Sequence, residues 1–318
     1  MQPTRFLEVA QHPAKLSLRN GCIVLTREAD SQSRFAQEGA PTVEITIPVG
    51  ELSCVVLAHP QVYLTQPAMA ALMEAGCPLV VCDANHMPAG MMLPLKANTL
   101  QTQRMLAQAA TPRPVRKRLW QQIVRWKVRA QARVLASVHG DDGGLFALAE
   151  TVRSGDPANV EAQAAARYWP LLFHDPLFRR RFDAPDQNRL LNYGYAVLRA
   201  AVARAICAAG LHPTLGLHHH HRENPYCLAD DLMEPYRPLI DAEVREIVAG
   251  WGADSPLTPE NKKRLIEVMD LRLDEAGPGS PLRPVTAHVA GTAFSVAQAF
   301  AQGDAAVKVF YPRGLVTP

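Results

Sequence analysis

Lys15-Leu16-Ser17-Leu18-Arg19-Asn20-Gly21-Cys22-Ile23-Val24-Leu25 sets two short apolar runs on either side of an Asn-Gly pair. Asn-Gly accepts the positive φ angles of a tight two-residue turn, so runs of this kind flanking it predict a β-hairpin. Thr42-Val43-Glu44-Ile45-Thr46-Ile47 reads as another strand, ended by Pro48-Val49-Gly50, and Val55-Val56-Leu57 and Pro78-Leu79-Val80-Val81-Cys82 read as two more. Between these last two, Gln66 to Ala75 reads as one helix, because Met69, Leu72 and Met73 fall at i, i+3 and i+4. The first hundred residues are expected to be mainly strand with a single helix.

From Gln101 to about Ala276 the period changes to that of helices. Trp120, Ile123, Val124, Val128 and Leu135 mark the apolar face of one helix, which makes Trp120 and Trp126 core candidates. Asp156-Pro157 is expected to start a second helix carrying Ala158, Val160, Ala164, Ala165 and Tyr168, and Asn188 to Ala209 reads as a long, mostly apolar helix at the centre of the domain. Thr258-Pro259-Glu260 has the proline of a first turn. Gly277-Pro278-Gly279-Ser280-Pro281 is a breaker, followed by a last helix from Thr286 to Gln302. The fold class expected is α+β, with a β-rich domain over residues 1–100 and a larger all-α domain over 101–318.

Composition narrows the function classes. The 318 residues are 48% hydrophobic and contain no long uninterrupted apolar run, so no membrane span is expected. The first residues show no signal-peptide pattern, which makes the cytoplasm the expected compartment. Six scattered cysteines without a CxxC pair predict reduced thiols and no zinc-thiolate site.

The net charge of +3 hides an uneven distribution. Residues 1–100 hold six Lys/Arg against eight Asp/Glu, whereas residues 101–181 hold fourteen against six. Arg113, Arg116, Lys117, Arg118, Arg125, Lys127, Arg129 and Arg133 follow one another with no acid between them. A stripe of one sign on a helix fits a polyanion, above all nucleic acid; a merely solvated face would mix signs for i,i+4 pairing.

A second cluster lies near residue 220. His218-His219-His220-His221 is followed by Ala229-Asp230-Asp231-Leu232-Met233-Glu234-Pro235, in which Asp231 and Glu234 share one face of a helix among apolar neighbours. Imidazoles beside carboxylates suit a divalent metal or an acid/base pair, and buried acids are costly without a cation. The blander readings are a tag-like or solvated histidine loop and acids that cap a helix start.

Three motifs carry a family resemblance: Val160-Glu161-Ala162 through Tyr168-Trp169; Leu191-Asn192-Tyr193-Gly194-Tyr195; and Gly216-Leu217-His218-His219 ending in Asp231-Leu232-Met233-Glu234-Pro235-Tyr236-Arg237-Pro238. Over nearly its whole length the chain resembles the Cas1 family, the CRISPR-associated integrases of spacer acquisition, in the variant found with type II (Cas9) systems. That resemblance implies a β-rich dimerisation domain and a helical catalytic domain with one metal site and a DNA-binding surface. It further implies a homodimer, two such dimers bridged by a small Cas2 dimer, double-stranded DNA as ligand, and the Cas9 adaptation machinery as a further partner.

The activity implied is a metal-dependent endonuclease/integrase that inserts foreign DNA fragments into a CRISPR array by 3′-hydroxyl attack on a phosphodiester. Matched residue by residue, the metal ligands and catalytic residues are Glu161, His219 and Glu234. His218 is the rival imidazole and Asp231 a second ligand or an orienting partner, with Asp230 and Asn224 as other candidates for that orienting role. Two carboxylates and an imidazole suit Mg²⁺ or Mn²⁺.

Arg222 and Arg237 flank this site, either to hold the attacked phosphate or to pair with Glu223 or Asp241. Arg116, Lys117, Arg118, Arg125, Lys127, Arg179, Arg180 and Arg181 are expected to contact the DNA backbone. Tyr193 and Tyr195 read as packing aromatics rather than stacking partners for bases. The rival functions are a catalytically silent double-stranded-DNA scaffold and a metal-dependent hydrolase of a small substrate.

Overall fold

The computed structural model describes residues 5–28, 42–84, 88–95, 98–181, 184–275, 280–303 and 311. The chain divides into two compact units, Met1–Ala97 and Asn98–Pro318.

The first unit runs β1 (Arg5–Val9), β2 (Ala14–Arg19), β3 (Cys22–Glu28), β4 (Thr42–Pro48), β5 (Leu52–Leu57), β6 (Val62–Leu64), α1 (Gln66–Glu74), β7 (Leu79–Cys82) and β8 (Pro88–Met92). One sheet has the order β4-β3-β2-β6 and another the order β1-β5-β7-β8. The Asn-Gly hairpin forms as its sequence requires: Arg19 pairs with Cys22 and Leu18 with Ile23, and Asn20 and Gly21 take φ of 50° and 72°. Leu16, Ile23, Leu52, Val55, Leu72 and Leu79 close the core, each burial contributing about 1.5–3 kcal/mol.

The second unit runs α2 (Gln101–Ala110), α3 (Arg113–His139), α4 (Leu145–Glu150), α5 (Val160–Leu172), α6 (Asn188–Ala208), α7 (Cys227–Met233), α8 (Arg237–Trp251), α9 (Pro259–Glu267), β9 (Arg272–Asp274), β10 (Leu282–Pro284) and α10 (Val285–Gln302). A 3-10 turn at Glu234–Tyr236 joins α7 to α8. Trp120, Ile123, Val124, Val128 and Leu135 are all buried on α3, and α6 is buried along nearly its whole length. Gly194 explains part of that burial: a Cβ there would collide with Ile240, so the glycine lets α6 and α8 approach closely.

Two local expectations need correction. The helix expected from Asp156 begins at Val160. Asp156 and Asn159 instead take left-handed φ of 47° and 51°, and the Asp156 carboxylate accepts the Val160 and Glu161 N–H groups at 2.9 and 3.0 Å. This satisfies the first donors of α5 and fixes the start of the helix that carries Glu161. The helical unit also contains strand: β9 and β10 pair antiparallel, joined through the Gly277-Pro278-Gly279 breaker, which lies outside the described residues. All six cysteines are free thiols, and among the described residues no helix is long and apolar enough to cross a membrane.

Candidate functional site

Helix α3 supplies the centre of the site. Lys127 lies seven residues after Trp120, four after Ile123 and three after Val124, so helical periodicity puts it on the buried face of α3 and not on a basic surface. Its Nζ is 2.6 Å from Glu161 Oε1 on α5 and 2.6 Å from Glu234 Oε2 in the 3-10 turn. Only 13% of the Lys127 side chain and 4% of the Glu234 side chain are exposed, so this contact is largely withdrawn from water.

The geometry around Glu234 Oε2 is informative. The Lys127 ammonium compensates the charge of this buried oxygen at 2.6 Å, and among the described residues no other donor reaches it. With a single partner, the oxygen keeps one of its two lone pairs available to a cation. Arg237 holds the other oxygen, Oε1, at 3.1 Å, with its guanidinium 4.7 Å from the centre of the Tyr195 ring. Burial opposes ionisation of Glu234, but Arg237 and Lys127 together outweigh it and hold the carboxyl below its ordinary range.

The histidine run is organised from its backbone. The Asp231 carboxylate, fully buried, accepts the N–H groups of Leu217, His218 and His219 and also binds His219 Nδ1 at 2.7 Å. With these contacts Asp231 orients the imidazole and has little capacity left to ligate a metal. Holding Nδ1 presents Nε2 as the free nitrogen of His219. The Asp231 hydrogen bond raises the imidazole above its ordinary value against the opposing effect of burial, and His219 and Glu234 lie within electrostatic reach of each other.

Glycine is required at 216, where a Cβ would meet the His219 carbonyl oxygen and come within 2.9 Å of Asp231 Oδ2. Gln108 on α2 supports the preceding loop, donating to the His212 and Leu215 carbonyls at 2.9 and 2.8 Å and accepting from His212 N–H at 2.9 Å. His218 does not turn toward the carboxylates. Its ring stacks on Trp120 with centroids 4.3 Å apart and planes 3° apart. His220 and His221 are exposed. Asp230 and Asn224, the other candidates for orienting the ligand, pair with each other at 2.7 Å, and Asp230 also binds Arg199.

The structure thus brings Glu161 and Glu234 onto one cation and holds His219 nearby on a separate anchor. Among the described residues, no group of three His, Cys, Asp or Glu side chains is drawn together closely enough to hold a metal as it stands. The donor set still fits a hard divalent ion: two carboxylate oxygens converge on one ammonium, one of them is buried with no partner but that ammonium among the described residues, and an imidazole is fixed by its other nitrogen.

The basic residues divide into two groups. Lys127, Arg237 and Arg180 are turned inward and are met by the protein's own groups. Lys127 and Arg237 compensate Glu234, while Arg180 is bound to Asn188 and Asn192 over the Tyr195 ring. Arg125 reaches the Val152 carbonyl at 3.3 Å, and Arg129 pairs with Glu150 at 2.5 Å, so the stripe has acids opposite it in space though none along the chain. Lys117, Arg118, Arg179, Arg181 and Arg222 are exposed, and Arg116 is half-buried with a bond to the Ala109 carbonyl.

Asp241 is a buried acid that sequence reasoning placed only as a partner for Arg237. Tyr168 and Tyr195 both donate to its carboxylate, which accounts for the aromatic positions of two motifs as packing and hydrogen bonding. Trp120 is core on one side and a platform for His218 on the other, whereas Trp126 is half-buried against Tyr311.

Known proteins resemble this chain along most of its length. The model of the family described as CRISPR associated protein Cas1 matches residues 7–250. A CRISPR-associated endonuclease Cas1 of Neisseria meningitidis serogroup C is 36% identical over 265 residues, covering 83% of this chain and 82% of the relative. Among solved structures, a casposase bound to its integration product superposes with a TM-score of 0.74 at 16% identity, over 99% of this chain and 94% of that one. A Cas6-RT-Cas1–Cas2 complex gives 0.71 at 18% identity, over 98% of this chain and 36% of that one.

Proposed function

The chain belongs to the Cas1 family of CRISPR-associated proteins, and from that membership and the geometry of its buried carboxylates we propose that it is a metal-dependent DNA endonuclease and integrase. Its reaction is the insertion of foreign DNA fragments into a CRISPR array, a DNA 3′-hydroxyl displacing another 3′-oxygen from a phosphodiester. One observation carries the reading: Glu161 and Glu234, from distant parts of the sequence, converge on a single cation at 2.6 Å, beside an imidazole whose free nitrogen is set by Asp231.

Glu161, Glu234 and His219 would hold Mg²⁺ or Mn²⁺, which when bound supplies Lewis-acid stabilisation of charge on the phosphoryl and leaving oxygens. The protein needs no nucleophile of its own, because the DNA provides it. Arg237 holds Oε1 of Glu234, and Asp231 fixes the tautomer and direction of His219. Exposed Lys117, Arg118, Arg181 and Arg222 neutralise backbone phosphates, which positions a duplex without reading its sequence. The same reading assigns a homodimer, a bridging Cas2 dimer and the type II adaptation machinery as partners; the Cas2 assignment draws on the naming of Cas2 in the complex that shares this fold.

The test is a strand-transfer assay paired with a gel-shift measurement. Glu161→Ala, Glu234→Ala and His219→Ala are each expected to lower integration by about a thousandfold or more while leaving duplex affinity measured with the metal chelated within a few-fold, since phosphate contacts dominate binding. His221→Ala should integrate like wild type. Full activity of the two glutamate variants would exclude the site, and duplex binding without integration by the wild type in Mg²⁺ and Mn²⁺ would favour the silent scaffold.

A further inference from the structure

The carboxylates of the candidate site are already neutralised by the protein. Glu161 and Glu234 carry two negative charges, and Lys127 and Arg237 carry two positive ones against them. The two cations are held differently. Arg237 packs its planar guanidinium over Tyr195 and pairs with Glu234 Oε1 at 3.1 Å. Lys127 has a flexible four-carbon stem and lies on the two oxygens that face each other, Glu161 Oε1 and Glu234 Oε2.

A divalent ion entering between those oxygens meets an ammonium within contact distance, in a place largely withdrawn from water. Two cations cannot share it without severe repulsion. Moving Lys127 aside frees the oxygens but leaves the pocket with an excess of positive charge. An entering phosphodiester supplies the anion that lowers this excess, and a lysine displaced by only a few ångströms is a natural partner for it.

Resting on the reading of Glu161 and Glu234 as metal ligands, we propose that Lys127 is the resident cation of the metal-free site. A divalent ion must displace it, and the displaced ammonium meets the incoming DNA phosphate, so metal and DNA bind with positive cooperativity. The free protein is then a poor metal binder by construction, and nuclease chemistry is confined to the DNA-bound state.

Equilibrium Mn²⁺ binding to the full chain tests this, read as loss of the free-ion signal in electron paramagnetic resonance, with and without a duplex oligonucleotide and corrected for ions held by the duplex alone. Wild type should bind Mn²⁺ weakly by itself and about tenfold more tightly with duplex. Lys127→Met should bind about tenfold more tightly than wild type without duplex and lose most of the coupling, whereas Lys127→Arg should keep the wild-type pattern.

Mn²⁺ affinity in Lys127→Met no higher than in wild type would overturn the proposal while leaving the ligand assignment intact. Equal Mn²⁺ binding by Glu234→Gln and wild type would remove the ligand assignment and this proposal with it. Should Lys127→Met fail to fold, the wild-type comparison decides: an affinity that the duplex does not change overturns the proposal.

Discussion

Glu234 and Asp241 lie seven residues apart and are both buried, but their charges are met in opposite ways. Glu234 faces two cations, and its carboxyl is held below the ordinary range despite burial. Asp241 receives two neutral phenol hydrogens, from Tyr168 and Tyr195; burial pushes its carboxyl up to about 7 against those bonds and the more distant arginines. Neutral donors satisfy a carboxylate's lone pairs without stabilising its charge as fully as a cation does. The first arrangement keeps an anion ready for a cation, and the second ties α5, α6 and α8 together. Burial and residue type alone do not separate a ligand from a structural acid; the charge of the donors does.

The sharpest way to break this contrast is to neutralise each acid in turn. Glu234→Gln is expected to cost about a thousandfold or more in integration rate, and Asp241→Asn less than about tenfold, as a packing change at one remove. Similar losses in a strand-transfer assay would show that both acids act in one unit.

The pH dependence of stability comes next in size. Folded Asp241 keeps a proton that the unfolded chain gives up near pH 4, so stability falls as pH rises from about 4 to about 7 and levels off above. Glu234 has the opposite sign: its contribution is present above the ordinary carboxylate range and is lost only as pH falls through its lowered value. Relative to wild type, Asp241→Asn should therefore gain on the order of 3 kcal/mol between pH 4 and pH 8 in urea unfolding. Parallel pH profiles would remove the buried-acid assignment.

The smallest effect belongs to solvated charge. Replacing Lys117 and Arg118 together should weaken binding to unrelated duplexes about equally and reduce the slope of log K against log salt by roughly one for each phosphate no longer neutralised. An unchanged slope returns these residues to an ordinary solvated helix face.

How much of this was legible follows from the range of the forces involved. The Asn20-Gly21 hairpin, α3 and α6 are written in local pattern, and their buried faces follow from it. Short β1 and β6 are not, because each is defined by parallel pairing with a strand distant in sequence. α5 starts at Val160 and not at Asp156-Pro157 because the Asp156 carboxylate accepts the first helical N–H groups from outside the helix, an arrangement that the following Pro157 disguises in the sequence. Within the candidate site, the carboxylates and the imidazole stand out by residue type and motif. Lys127 was hidden by its basic neighbours, although its spacing from Trp120, Ile123 and Val124 already placed it on the inner face. The role of Asp231 depends on backbone N–H groups, which every residue but proline carries and no composition reveals.

That backbone grip has a consequence for insertions and deletions. Asp231 holds the loop by the amides of residues 217, 218 and 219, starting one residue after a glycine that leaves no room for a side chain. The imidazole at 219 is thus selected by counting from Gly216, not by any property that distinguishes it from its three neighbours. A residue gained or lost beyond His219 leaves the count to the anchor intact and disturbs local ties instead, those of His220 Nδ1 to the His218 carbonyl at 2.6 Å and of the His221 carbonyl to the Asn224 N–H at 3.0 Å. A single residue added between Gly216 and His219 would instead deliver a different histidine to the anchor while shifting every carbonyl before it. In a homopolymeric stretch, prone to gain and lose units, the count is therefore fixed on the side of Gly216, while changes on the other side leave the anchored imidazole the same.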